Sequence, residues 1–159
     1  MLLKINQMDV KTALKLAQNI CAKKEQCKLD ISLKLKSWGL TGNEPVQVLE
    51  DLQKEGFIDE TRYSEAYCRE KFRFNKWGRI KLRHMLRQKQ IPDHTIDKAL
   101  SLIDEDEYRE VLMNELVKKA TFFHGISQVN KKKKLLQFAL QRGFEYEIIM
   151  AAINDMHHI

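Results

Sequence analysis

Nearly every long segment of this chain spaces its apolar side chains by three and four residues, the interval of one helix face. Val10, Leu14, Ala17 and Cys21 define a first such stripe, and Leu29, Leu33 and Trp38, with Ile31 and Leu35 beside them, a second. Gly39 reads as the stop of that second helix, because a left-handed residue commonly closes a helix and glycine takes that conformation without steric cost. Asn43 is positioned to cap a third, with Glu44 and Pro45 in its first turn, Val48, Leu49 and Leu52 as its buried stripe and Gly56 as its end. Helices are predicted next over about 61–75 and 79–89. Pro92-Asp93 starts another with Ile96, Leu100 and Ile103 inward, and the last three fall at about 107–122, 129–141 and 146–154.

The nine segments repeat in threes. Leu40, Ile91 and Phe144 each follow the second helix of a cycle by one or two residues, at spacings of 51 and 53. Five residues before them stand Leu35, Leu86 and Ala139, and nine after them Leu49, Leu100 and Ile153. A period of that size points to tandem supersecondary units stacked on one another. The junction LQKEGFIDETRYSEAYCREKF (52–72) then reads as a seam. Gly56 ends one helix, Asp59 caps the next, and Phe57-Ile58 is expected to plug the groove between two units.

Composition changes this picture little. Six glycines and two prolines in 159 residues argue against a β-sandwich or a glycine-loop nucleotide fold, and 43% hydrophobic content is enough for a core. No apolar run is long enough to span a bilayer. The start, MLLKINQMDV, lacks the apolar region of a secretory leader, and three unpatterned cysteines suit a reducing cytoplasm.

Charge changes it more. Successive blocks 1–43, 44–60, 61–92, 93–115 and 116–159 carry net charges of +5, −5, +8, −6 and +4. The densest stretch, REKFRFNKWGRIKLRHMLRQK (69–89), sets nine basic residues against one acid, with Phe72, Phe74 and Trp77 interleaved. Arg79, Arg83 and Arg87 recur at i, i+4 and i+8, a cationic ridge opposite Leu82, Met85 and Leu86. Such a ridge suits phosphate oxygens or an acidic protein groove. The alternative is a solvated face paired with the acidic blocks 44–60 and 93–115. The scarcity of local acids favours a partner, with Arg69, Arg73, Lys76, Arg79, Lys81, Arg83, Arg87 and Lys89 as the candidate contact set. Lys131, Lys132, Lys133 and Lys134 spray around a helix, and their reading stays open between solvation and phosphate contact.

Catalytic signatures are missing from the sequence: it contains no GxSxG, HExxH, P-loop or GxGxxG. His84, His94 and His124 stand apart from cysteines and carboxylates at ligand spacing, and His157-His158 is terminal. The expectation is a binder with no catalytic residues, no cofactor and no metal. Helix-turn-helix base reading is disfavoured, since no helix opens on a short polar reading face.

The segment GFIDETRYSEAY (56–67) resembles the "GfiDDerfAeay" signature of the RecX regulatory proteins, and GRIKLRHMLRQKQI (78–91) is similar to their "G-p-x-x-I-x-x-e-L-x-x-K-G-I" stretch. Residues 29–40 and 134–144 resemble the corresponding helices of the first and third units. Three positions depart: Arg79 replaces the usual proline, Met85 the usual acid, and Gln90 the glycine before Ile91. The resemblance implies an all-α protein of three tandem three-helix repeats, elongated and curved, divided at about 1–59, 60–104 and 105–159. It also implies a non-catalytic cytoplasmic regulator, monomeric and off the membrane, that binds the RecA recombinase filament and damps recombination and the SOS response. Direct contact with single- or double-stranded DNA is a further implication. The competing reading is an autonomous DNA-binding protein acting through phosphate contacts.

Overall fold

The computed structural model describes residues 7–156; His157 and His158 lie outside them. The described residues form nine helices and no strand: α1 (Val10–Lys23), α2 (Lys28–Ser37), α3 (Glu44–Lys54), α4 (Glu60–Asn75), α5 (Arg79–Gln88), α6 (Asp93–Ser101), α7 (Glu105–Ala120), α8 (Gln128–Gln141) and α9 (Tyr146–Asp155). In the first triplet α3 packs on both α1 and α2, and in the second and third all three helices touch one another. The all-α three-helix repeat architecture is therefore as the periodicity and the resemblance predict.

The repeat is visible in how the helices begin. An aspartate caps the first helix of every unit: Asp9 accepts from the Thr12 N–H, Asp59 from those of Thr61 and Arg62, and Asp104 from that of Glu107. Each satisfies backbone donors that the first helical turn leaves unpaired. Asp59→Ala is expected to cost about 1 kcal/mol, read as a lower urea midpoint with unchanged slope. Helix α3 starts differently from the prediction. Asn43 is itself helical and makes no side-chain cap; Glu44 accepts from the Thr41 N–H at 2.8 Å instead.

The second helices end alike. The N–H groups of Leu40, Ile91 and Phe144 return to the carbonyls of Leu35, Leu86 and Ala139 at 3.2, 3.1 and 3.2 Å, and all six residues are buried. The preceding residue is left-handed each time, at φ +89° for Gly39, +59° for Gln90 and +86° for Gly143. The unit architecture imposes the conformation, and Gln90 bears its Cβ cost of about 1 kcal/mol. Gln90→Gly is accordingly expected to raise stability by up to about 1 kcal/mol; a lower melting temperature would contradict this.

Two hydrophobic cores result, not three. Ala13, Ala17, Cys21, Ile31, Leu35, Leu40, Val48, Leu52 and Ile58 close the first unit on itself. The second and third units share one continuous cluster, which includes Leu82, Leu86, Tyr108, Leu116, Leu135 and Phe144. Cys27, just before α2, joins that shared cluster and ties the first unit to it. Accessible surface is 10293 Å², against about 8300 Å² expected of a compact chain of this mass, as befits an array.

Three local expectations need correction. Phe57 and Ile58 belong to the first unit's core rather than to a groove between units. Both N–H groups return to the Leu52 carbonyl, folding the chain back under α3. In α2 the buried line is Ile31 and Leu35, while Leu33 is 55% exposed. Helix α6 ends at Ser101, so Ile103 packs from the following turn. Among the described residues no helix is long and apolar enough to cross a membrane, and no cluster of potential ligands suits a metal. The three cysteines are free and buried, and desolvation pushes the Cys68 thiol up to about 12.

Candidate partner-binding surface

Apolar periodicity orients α5: Leu82 and Leu86 are fully buried, which turns Arg79, Arg83 and Arg87 outward, as the pattern predicts. What they meet is a set of carboxylates from neighbouring helices. Arg83 Nη2 lies 2.6 Å from Asp97 Oδ1 of α6, and Arg87 grips Asp93 at the start of α6 with two bonds of 2.8 and 3.2 Å. Arg79 reaches Glu105 of α7 at 2.5 Å and Glu145, just before α9, at 3.3 Å. Lys89 closes on Asp30 of α2 at 2.8 and 3.1 Å, linking the first and second units. On α4, Arg73 Nε stands 3.5 Å from Glu107.

Five of the eight candidate residues are thus engaged by acids of this same chain. The other three differ. Arg69 is exposed and has no carboxylate at ion-pair distance among the described residues, Lys76 donates to the Arg73 carbonyl at 2.5 Å, and Lys81 sits 4.6 Å from the centre of the Trp77 ring. Much of the +8 block is therefore met by the −6 block, and the alternating charge along the sequence was the signal of that pairing. Exposed pairs of this kind contribute about 0–1 kcal/mol each, so they act mainly on orientation.

Arg79 is the most embedded of these cations. Its guanidinium lies 3.9 Å from the centre of the Tyr108 ring, and its backbone N–H donates to the Tyr108 hydroxyl at 3.0 Å. That hydroxyl in turn donates to Glu145 at 2.6 Å. Burial works against the guanidinium's charge, but Glu105, Tyr108 and Glu145 outweigh it and raise its pKa. Burial, reinforced by Glu145, drives the Tyr108 phenol far above its ordinary value, so it remains the donor. A cleft of 710 Å³ opens beside this cluster, lined by Arg79, Ile80, Arg83, Asp97, Glu105 and Glu145 among others.

These pairs make folding sensitive to acid. The Arg79 hydrogen bond lowers the Glu105 pKa below 4.5, and that from Arg87 lowers the Asp93 pKa below 3.8. Carboxylates with depressed folded-state values add stability above their unfolded pKa and lose it as pH falls through the folded one. Stability is expected to be flat near neutrality and to decline below about pH 4.5. Glu105→Gln should flatten part of that decline in melts recorded across pH 2–7; an unchanged pH profile would count against the pairing.

Among the described residues, nine helices in three packed triplets, with cations set on aromatic rings and carboxylates at the seams, define an all-α three-helix-repeat protein. Its family follows from comparison with known proteins. Residues 59–100 match the model of the second three-helix domain of RecX and 105–153 that of the third, together more than half of the chain. The chain belongs to the RecX family.

It is 28% identical over 152 residues to the regulatory protein RecX of Prosthecochloris aestuarii, covering 96% of this chain and 98% of that one. Identity to the regulatory protein RecX of Clostridium acetobutylicum is 32% over 117 residues, 69% of this chain and 52% of the relative. The crystal structure of RecX from Lactobacillus salivarius shares the fold at a TM-score of 0.84 with 23% identity, over 94% of this chain and 97% of that one.

Proposed function

We propose that this chain is a non-catalytic regulator that binds the RecA recombinase filament and restrains its strand-exchange activity. The observation that carries the reading is the match of the second and third units to RecX domains, with full-length relatives named as regulatory proteins. An array of stacked units offers a long surface suited to bridging successive protomers of a filament. The reading takes the protein as a cytoplasmic monomer. Of the candidate contact set, Arg69, Lys76 and Lys81 keep charge available for an acidic partner. Arg73, Arg79, Arg83, Arg87 and Lys89 would first have to exchange their present carboxylates.

Recombinase ATPase activity and filament length on single-stranded DNA test the proposal directly. Addition of this chain should slow ATP turnover and shorten filaments; no change at a several-fold excess over protomers refutes it. Arg69→Ala should weaken the effect several-fold, whereas Arg83→Ala with Arg87→Ala should leave it within about twofold, because those charges are already met. The opposite order of effects would return the contact surface to the α5 ridge.

A further inference from the structure

The two seams of this array are built from different materials. The second and third units share a continuous apolar cluster, and backbone hydrogen bonds join them, from Gly78 N–H to the Arg142 carbonyl and from Ile80 N–H to the Gly143 carbonyl. The first unit has a core of its own and gives that cluster only Cys27, with Leu29 packed against it. Among the described residues no backbone–backbone hydrogen bond runs from the first unit to residues beyond α4's own cap.

Side chains hold the first seam instead. Arg62 of α4 reaches Glu25 at 2.9 Å, Lys24 reaches Glu70 of α4 at 3.5 Å, and Asp30 of α2 meets Lys89 at 2.8 Å. Glu60 also accepts the Lys28 N–H at 3.3 Å, and Arg62 donates to the Gly56 carbonyl at 2.8 Å. Every one of these contacts leaves the first unit from residues 24–30 or from the connection at Gly56. The chain itself crosses between Ile58, buried in the first core, and Asp59, the cap of α4. One corner and one covalent link are the attachments of a hinge.

The corner is loosely filled and open to water. A cleft of 530 Å³ beside it has Lys24 and Asp30 on one wall and Tyr63, Tyr67, Trp77 and Met85 on the other. The six side chains of the three ion pairs are 29–70% exposed, so dissolved salt screens them. Units joined by a small polar seam move relative to one another unless something holds them.

We propose that the first unit is a hinged arm on a rigid second-and-third body, turning about the Ile58–Asp59 link and clamped by the ion pairs of its 24–30 corner. Charge therefore sets its angle: screening or displacing Glu25, Asp30 and Glu70 frees the arm, while its own core stays closed. The clamp belongs to the chain by itself and does not rest on the recombinase reading.

The test measures distances between two spin labels on the full chain by pulsed electron spin resonance. Cys21, Cys27 and Cys68 are buried, with thiol pKa values raised by desolvation, so labels attach to introduced cysteines. Lys11→Cys with Lys132→Cys spans the hinge, and Lys98→Cys with Lys132→Cys spans only the apolar seam. Across the hinge the distance distribution should be narrow at about 50 mM salt and about twofold wider at about 1 M. The second pair should stay narrow at both.

Glu25→Gln with Asp30→Asn should widen the hinge distribution at low salt, with the melting temperature nearly unchanged. Exchanging one pair, Asp30→Lys with Lys89→Asp, should keep it narrow. A hinge distribution unmoved by salt and by Glu25→Gln with Asp30→Asn would overturn the proposal. So would a wild-type distribution already wide at low salt, or equal widening across both seams. No recombinase enters the measurement, so failure here and failure of the filament reading are separable.

Discussion

Gly143→Ala is expected to destabilise the joined second and third units by about 3 kcal/mol, a fall of roughly 10 °C in melting temperature. Two costs add. The residue sits at φ +86°, where any side chain costs about 1–2 kcal/mol. A Cβ there would also press into the backbone nitrogen and Cβ of Lys81. The close approach is held by two backbone hydrogen bonds, from Gly78 N–H to the Arg142 carbonyl at 2.7 Å and from Ile80 N–H to the Gly143 carbonyl at 3.0 Å.

Gly78 is needed for space alone. Its φ is an ordinary −78°, but its Cβ would meet the Gly143 carbonyl. The informative control is Gly42→Ala, left-handed at φ +58° with nothing within 4 Å of the added carbon. It should show the conformational cost of about 1 kcal/mol without the steric one. Equal losses at the two positions would mean that the units do not depend on this seam.

Tyr108→Phe is expected to cost about 2 kcal/mol, because one hydroxyl serves two groups. It accepts the Arg79 N–H, donates to Glu145, and tops a ring that contacts Phe72 at 5.7 Å and Phe144 at 5.0 Å between centroids. Deleting it keeps the ring packing but leaves a half-buried carboxylate and a backbone N–H short of a partner. If that account holds, Tyr108→Phe and Glu145→Gln should be strongly non-additive in urea unfolding. Additive losses would reduce the hydroxyl to a bystander. The donor also gives Arg79 a role that the usual proline of the RecX pattern cannot fill, since proline has no N–H.

The helices were legible because their signals are local. Asp59 caps as its neighbours foretell, and the buried sets Leu35, Leu86, Ala139 and Leu40, Ile91, Phe144 follow from a 51- to 53-residue period. The start of α3 fell at Glu44 as expected and only its cap differed, since Asn43 makes no side-chain bond, while α7 runs Glu105–Ala120 where about 107–122 was expected. The candidate site was half legible. Spacing alone turned Arg79, Arg83 and Arg87 away from the core, and the alternation of charge blocks hinted at their partners. Lys119 and Lys134, which share the Phe123 ring, were harder to see, because the two lysines come from separate helices; the nearness of Lys118-Lys119 to Phe122-Phe123 was the available sign.

Chain pattern suffices for nine helices in three units, for which face of each is apolar, and, through its motif, for the family. Those are properties of residues three to five apart, or of a pattern repeated at fixed intervals. Which charges stay open to a partner is a different kind of fact. Arg87 is spent on Asp93 six residues on, whereas Arg79 is spent on Glu145 sixty-six residues on, and Arg142 is set beside Asn75 by the Gly78–Gly143 contact. A charge's availability depends on the distance to every other charge, and that distance is set when the units close on one another.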